Sequence, residues 1–304
     1  MAEIIQRDGT WAFDGSTLRI TPGLHRSVPL FRQTYGEVAV PIEAVAGVVH
    51  EPERKRGRLR LRLREGADPL LQATGGRLPD SADPYRLAVD LDRSGVAEYV
   101  AEEIRHALLL EQIPQEPTKT YLLAGPPVPV SVRSSDGTVS YDGTQVRIDW
   151  SDTSDKVKRA TGPRIIRMHD LVQVEWLPNS GYEDGFLRFV TRETVFSKLP
   201  PEKDPYALDL WGNARRDLLT ALVATAVTAR LPHPSTRTGD YIHEVDPTNL
   251  AGLPSPARAA VSAATGDHHD VLLRRLRELG ELHRDGVLTD EEFAATKAVV
   301  LRGF

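Results

Sequence analysis

The sequence predicts a mostly β protein with some α: two tandem small β-barrels, each covered by a C-terminal helix, followed by an α-helical hairpin. Three observations predict it. One set of landmarks occurs twice in the same order. Within each set, short runs alternate apolar and polar residues between Asp-Gly, Gly and Pro turns. Beyond residue 266 the apolar spacing changes from every second residue to every third or fourth.

The duplication is read from residue types. Asp8-Gly9-Thr10-Trp11-Ala12-Phe13-Asp14-Gly15 recurs as Asp136-Gly137-Thr138-Val139-Ser140-Tyr141-Asp142-Gly143. Leu18-Arg19-Ile20 recurs as Val146-Arg147-Ile148, and Ala44–Val48 corresponds to Asp170–Val174, with Pro52 and Pro178 closing each. Gly57–Leu61 corresponds to Gly185–Phe189, and Asp83-Pro84-Tyr85 to Asp204-Pro205-Tyr206. The offset drifts from 128 at Asp8 and Asp136 to 121 at Asp83 and Asp204, as short loop insertions and deletions produce. Each copy contains six or seven strand-like runs and then one helix. The first helix spans about 95–111, with Val96, Tyr99, Val100, Ile104 and Leu108 on one stripe. Leu218, Leu219, Leu222, Val223, Ala226 and Val227 form the equivalent stripe in the second copy.

These patterns divide the chain into a first β domain at 1–111, a Pro-rich linker at 112–129 and a second β domain at 130–231. A flexible tether at 232–266 and a helical hairpin at 267–304 follow. Pro114 to Pro129 contains five prolines, which makes the linker stiff. In the tail, Leu272, Leu276, Leu279 and Leu282 give the first helix its apolar side. Asp285-Gly286 makes the turn, and Thr289-Asp290-Glu291-Glu292 is a capping box for the second helix, which carries Phe293, Lys297 and Val300. Two short helices bury little alone, so Leu272, Leu276, Leu279, Leu282, Phe293 and Val300 are candidate contacts to a partner or to a second copy of the chain.

The run from Leu276 to Phe293, with Leu-x-x-Leu, Asp-Gly-x-Leu-Thr-x-Glu-Glu-Phe and the following Lys297, closely resembles the bacterial SHOCT (short C-terminal) domain. The upstream copies, with their Asp-Gly-Thr and Asp-Pro-Tyr landmarks, resemble a bacterial family of paired pleckstrin-homology-like domains. The resemblance implies that fold, and a non-enzymatic role in oligomerisation or protein contacts. It supplies no ligand.

Composition removes several function classes. A net charge of −5 argues against a nucleic-acid partner. The absence of Cys excludes disulfides, thiol nucleophiles and thiolate metal sites. No signal peptide is visible, and the uncharged stretch Leu218 to Ala229 falls short of the ~20 residues a membrane span needs. A cytoplasmic protein is expected. Glu281, His283, Asp285 and Glu292 mimic an EF-hand spacing, but a His nitrogen at an early ligand position is a poor match for calcium. No catalytic residue, metal site or cofactor is expected, and no small-molecule substrate.

The most unusual local feature is Arg54-Lys55-Arg56-Gly57-Arg58-Leu59-Arg60-Leu61-Arg62-Leu63-Arg64. On a strand, Arg56, Arg58, Arg60, Arg62 and Arg64 share one face and the leucines the other. They are the candidate anion-binding residues, set against a plain solvated sheet face with cross-strand partners such as Glu43, Glu51 and Glu65. The functional expectation is a scaffold or adaptor with a protein partner or self-association through the tail. Its alternative is binding to an anionic membrane surface or ligand through the arginine stripe.

Overall fold

The computed structural model describes residues 1–236 except Lys55, Tyr182, Phe196 and Lys198. The tether from residue 237, the hairpin, its six candidate contact residues and the calcium-like spacing lie outside the described residues. Each repeat folds into two antiparallel meanders and a closing helix. In the first repeat, β1 (Ala2–Gln6), β2 (Gly9–Phe13), β3 (Thr17–Pro22) and β4 (Val38–Pro41) form one sheet, and β5 (Val45–Glu51), β6 (Gly57–Leu63) and β7 (Arg86–Val89) form the other. A short helix, α1 (Leu30–Tyr35), connects β3 to β4; α2 (Pro69–Thr74) connects β6 to β7; α3 (Ser94–Leu110) closes the repeat. The second repeat repeats the scheme with β8 (Val130–Arg133), β9 (Gly137–Tyr141), β10 (Gln145–Trp150) and β11 (Arg164–Arg167), then β12 (Leu171–Leu177), β13 (Gly185–Thr191) and β14 (Ala207–Leu210). Its helices are α4 (Lys156–Ala160), α5 (Ala214–Asp217) and α6 (Thr220–Thr228).

The duplication holds down to strand register. The β5–β6 ladder slips between Val45 and Gly47, and the β12–β13 ladder slips at the equivalent Leu171 and Gln173. The repeated turns have a physical cause. Asp14 Oδ1 accepts from the backbone N–H groups of Ser16 and Thr17, at 3.0 and 2.8 Å, while Gly15 adopts φ 106°. Asp142 accepts from Thr144 and Gln145 at 2.7 and 2.9 Å, and Gly143 adopts φ 105°. In the Asp-Pro-Tyr landmark, Asp83 and Asp204 each accept the N–H of the Tyr two residues on, at 2.9 Å, and so set the chain into β7 and β14.

The expected barrels do not close. The sheets of a repeat meet at a seam where β7 faces the β1–β2 turn without backbone pairing. Side chains fill that gap. Asp8 Oδ2 accepts from Ala88 N at 3.1 Å, and Gln6 Oε1 accepts from Asp90 N at 3.2 Å. In the second repeat Asp136 Oδ2 accepts from Asp209 N at 2.9 Å. Each aspartate is held by a cation from the short helix that follows the third strand. Lys158 Nζ lies 2.5 Å from Asp136 Oδ2 and donates to Ala207 O at 3.0 Å, with both partners buried. Arg32 and Asp8 stand 3.5 Å apart. A backbone ladder has been replaced by a carboxylate that satisfies the unpaired N–H groups of an edge strand.

The two closing helices differ. α3 buries Ala97, Val100, Ala101, Ile104 and Ala107 along one stripe and leaves Tyr99, Leu109 and Leu110 exposed. The single stripe expected in the second repeat is too narrow, because all nine residues of α6 are buried. One side of α6 packs on its own strands, including β8, β9 and β12, and another meets α2 of the first repeat. Two of its hydroxyls are satisfied: Thr225 donates to Ala221 O, and Thr220 donates to Asp217 O and accepts from Trp176 Nε1.

The linker is not a free spacer either. Thr118 N donates to Glu65 O, and Leu122 N and Leu123 N donate to Ala67 O. Arg64 donates to Glu116 O and Glu43 O. Gly125 passes so close to α6 that a Cβ there would sit 2.5 Å from Ala229 Cβ. His233 Nε2–H donates to Gly66 O at 3.0 Å and the ring stands edge-on to Tyr121. A single apolar core therefore runs through both repeats.

α2 shows why it starts and stops where it does. Asp68 caps it by accepting from Leu70 N and Leu71 N, Pro69 occupies the first turn, and Gly75 ends it in the left-handed region. Asp68 Oδ2 also accepts from the Tyr85 phenol at 2.7 Å. Burial pushes the Asp68 carboxyl up to about 6, against the pull of these hydrogen bonds. A raised carboxyl makes the folded state hold more protons than the unfolded state between about pH 4 and 6, so stability falls as pH rises through that window. Asp68→Asn removes this slope. Relative to wild type, the Asn variant is expected to gain at most about 3 kcal/mol between pH 4 and pH 7, whatever its absolute stability. Urea unfolding at the two pH values checks it; parallel pH profiles would refute the assignment.

Candidate functional site

The arginine run forms the central strand of the second sheet, and its alternation is as expected: Leu59 and Leu61 are buried, and Arg58, Arg60 and Arg62 face outward. The partners are not the ones the sequence suggested. Arg56 pairs with Asp90 at 3.2 Å, and Arg58 pairs with Glu53 at 2.6 Å and reaches Asp80 at 3.8 Å. Contact with Glu53 raises the Arg58 guanidinium further above its usual value. Arg64 spends its guanidinium on backbone carbonyls, Glu43 O among them, and clamps the linker. The carboxylates of Glu43, Glu51 and Glu65 pair with none of these arginines among the described residues. Three of the five candidates are thus committed to structure. Arg60 and Arg62 remain, opposite Val49 and Gly47 of β5.

The second repeat has no equivalent face. Arg188 is drawn into Asp204, at 2.8 Å, and Leu199 O. Burial holds the Asp204 carboxyl above its ordinary value, with Arg188 opposing the shift.

Beside Arg62, an open groove is lined by Val49, Leu108, Leu109, Ile113 and Arg105. Its lining includes Leu109, which is 76% exposed, and the next residue of α3, Leu110, is 70% exposed. Arg105 reaches the sheet through its Nε–H, which donates to Val48 O at 3.4 Å. It donates to Glu98 at 2.8 Å, and Glu98 also contacts His50 Nδ1 at 2.8 Å. These two contacts, Arg105 first, hold the Glu98 carboxyl below the usual range. His50 is therefore packed into a charge cluster between β5 and α3.

Among the described residues no three His, Asp or Glu side chains converge as a metal site. The Asp90 carboxylate pairs with Arg56, and its backbone N–H serves the seam. Trp11 and Trp176 are core residues, and Trp150 Nε1 donates to Gly162 O. The Asp8–Arg32 and Asp136–Lys158 pairs were missed in the sequence. The repeated Asp-Gly marked the aspartates, but the cations follow at different spacings and carry no signature of their own.

The geometry defines a two-repeat β protein whose shared landmarks are all spent on folding. A model of the family described as a domain of unknown function, DUF4429, matches residues 11–105 and again 139–228. The chain belongs to this family. The short C-terminal domain, SHOCT, matches residues 274–301. No curated protein matches the chain. No helix among the described residues is long and apolar enough to cross a membrane.

Proposed function

We propose that the chain is a non-enzymatic cytoplasmic scaffold or adaptor. Its repeats are pleckstrin-homology-like units that stop short of closing their barrels, and its C-terminal hairpin mediates oligomerisation or partner docking. The observation that carries this reading is the exposed apolar end of α3. Leu109 lines one groove with Val49, Leu108 and Ile113, next to the uncommitted Arg62, and the following residue, Leu110, is exposed as well. Contiguous apolar surface with a polar rim is the composition of a protein contact, not of a solvated helix end. The hairpin sequence adds a second contact element, because its leucines need an apolar partner surface.

Light scattering and pull-downs on the full chain test both elements. Leu109→Asp with Leu110→Asp is expected to abolish partner capture, and truncation after Gly266 to lower the assembled mass. Identical masses and identical captured proteins for all three chains would sink the proposal. The membrane-surface alternative retains only Arg60 and Arg62 of its five arginines, and vesicle sedimentation decides it.

A further inference from the structure

Within the described body, a cleft of about 700 Å3 lies between the two repeats. Residues 26–31 with Gln33, Pro79 and Ser81 of the first repeat line one side, and Asn179 with residues 213–216 and Leu218 of the second repeat line the other. Three arginines border it, Arg26, Arg215 and Arg216, and no carboxylate does. Among the described residues none of the three has an ion-pair partner, whereas Arg56, Arg58, Arg86 and Arg188 all do. What sets these three apart is their placement: they border one concavity, which therefore carries an uncompensated positive lining in a chain of net charge −5.

The repeat comparison points the same way. At the offset of 121 that relates β7 to β14, Arg215 and Arg216 fall opposite Ser94 and Gly95. The shared scaffold therefore does not require them. Asn213, which also lines the cleft, accepts from Arg215 N and Arg216 N with its Oδ1 and so fixes the turn that carries both arginines. Val28, Phe31 and Leu218 supply an apolar wall.

We infer that this cleft binds a small molecule bearing two or more phosphate groups. Guanidinium forks match phosphate oxygens in pairs, and a concave site concentrates their field. The volume is that of an ordinary small-molecule site, and the mixed apolar wall suits an organic phosphate. This is a binding role; no reaction is assigned to it.

Isothermal titration of the full chain with sodium pyrophosphate and with ATP, at low salt and without divalent cations, tests the inference. One saturable site per chain is expected. Arg215→Ala with Arg216→Ala should weaken it about tenfold or more, a change of about 1.4 kcal/mol per decade. Arg60→Ala with Arg62→Ala, on the other surface, should leave it unchanged. All four positions are exposed, so the variants should unfold at the wild-type midpoint. Absence of saturable binding, or equal losses in both double variants, would overturn the assignment. If anionic phospholipid vesicles sediment the wild type but not the Arg215/Arg216 variant while both soluble phosphates fail to bind, the site reads a lipid headgroup and the small-molecule assignment is wrong.

Discussion

Lys158→Met is expected to destabilise the body by about 3–5 kcal/mol, the usual cost of stripping one partner from a buried ion pair. Lys158 and Asp136 are both buried. Met fills the volume but leaves a carboxylate without its cation, beside the unpaired edge of β14. Adding Asp136→Asn removes that charge and should restore part of the loss, while Asn still offers an acceptor to Asp209 N. Arg32→Met in the first repeat should cost clearly less. Its pair is longer, Asp8 is partly exposed, and Arg56 stands 3.9 Å from the other carboxylate oxygen. Urea midpoints for the four chains measure this ordering. Equal costs in the two repeats, or a loss below about 1 kcal/mol for Lys158→Met, would show that the seams are not held by these pairs.

Leu70→Ala should cost about 2–5 kcal/mol, as truncation of a fully buried leucine does, and should change the shape of unfolding as well as its midpoint. Leu70 is fully buried in α2, the helix through which the first repeat meets α6 of the second. Wild type is expected to unfold in one cooperative step because the core is continuous. With α2 loosened, the two repeats should separate into two steps by calorimetry. Gly125→Ala attacks the same junction from the linker side, by overpacking against Ala229, at about 1–3 kcal/mol. A wild type that already melts in two steps would refute the coupling.

Residues that fix backbone conformation left the clearest record in the sequence. Asp14-Gly15 and Asp142-Gly143 announced their hairpins because few other residue pairs combine a positive φ with a side chain that accepts the following N–H groups. The alternation in Arg58–Leu63 announced its faces because a strand has a period of two. Closure was not legible. A strand whose edge is satisfied by Asp8 or Asp136 has the same pattern as one paired by backbone, so the alternation predicted barrels that the seams deny. The arginine partners were equally hidden, since Glu53, Asp80 and Asp90 sit in loops and turns, not opposite the stripe. The arginine cleft was beyond reach because Arg26 and Arg215 come to border one concavity only through the packing of one repeat on the other. That packing depends on α2, too short to stand out as a periodic segment.

The buried α6 also bears on how such a chain could change over time. Duplicated domains are ordinarily interchangeable parts: either copy can be lost, shuffled or joined to a new neighbour. Here the second copy can no longer leave. Its closing helix is buried on every side, partly against the flank of the first copy, and exporting it alone would uncover a mostly apolar surface without a charged residue. The two repeats have become a single heritable unit, and any descendant must keep both or rebuild the surface of one.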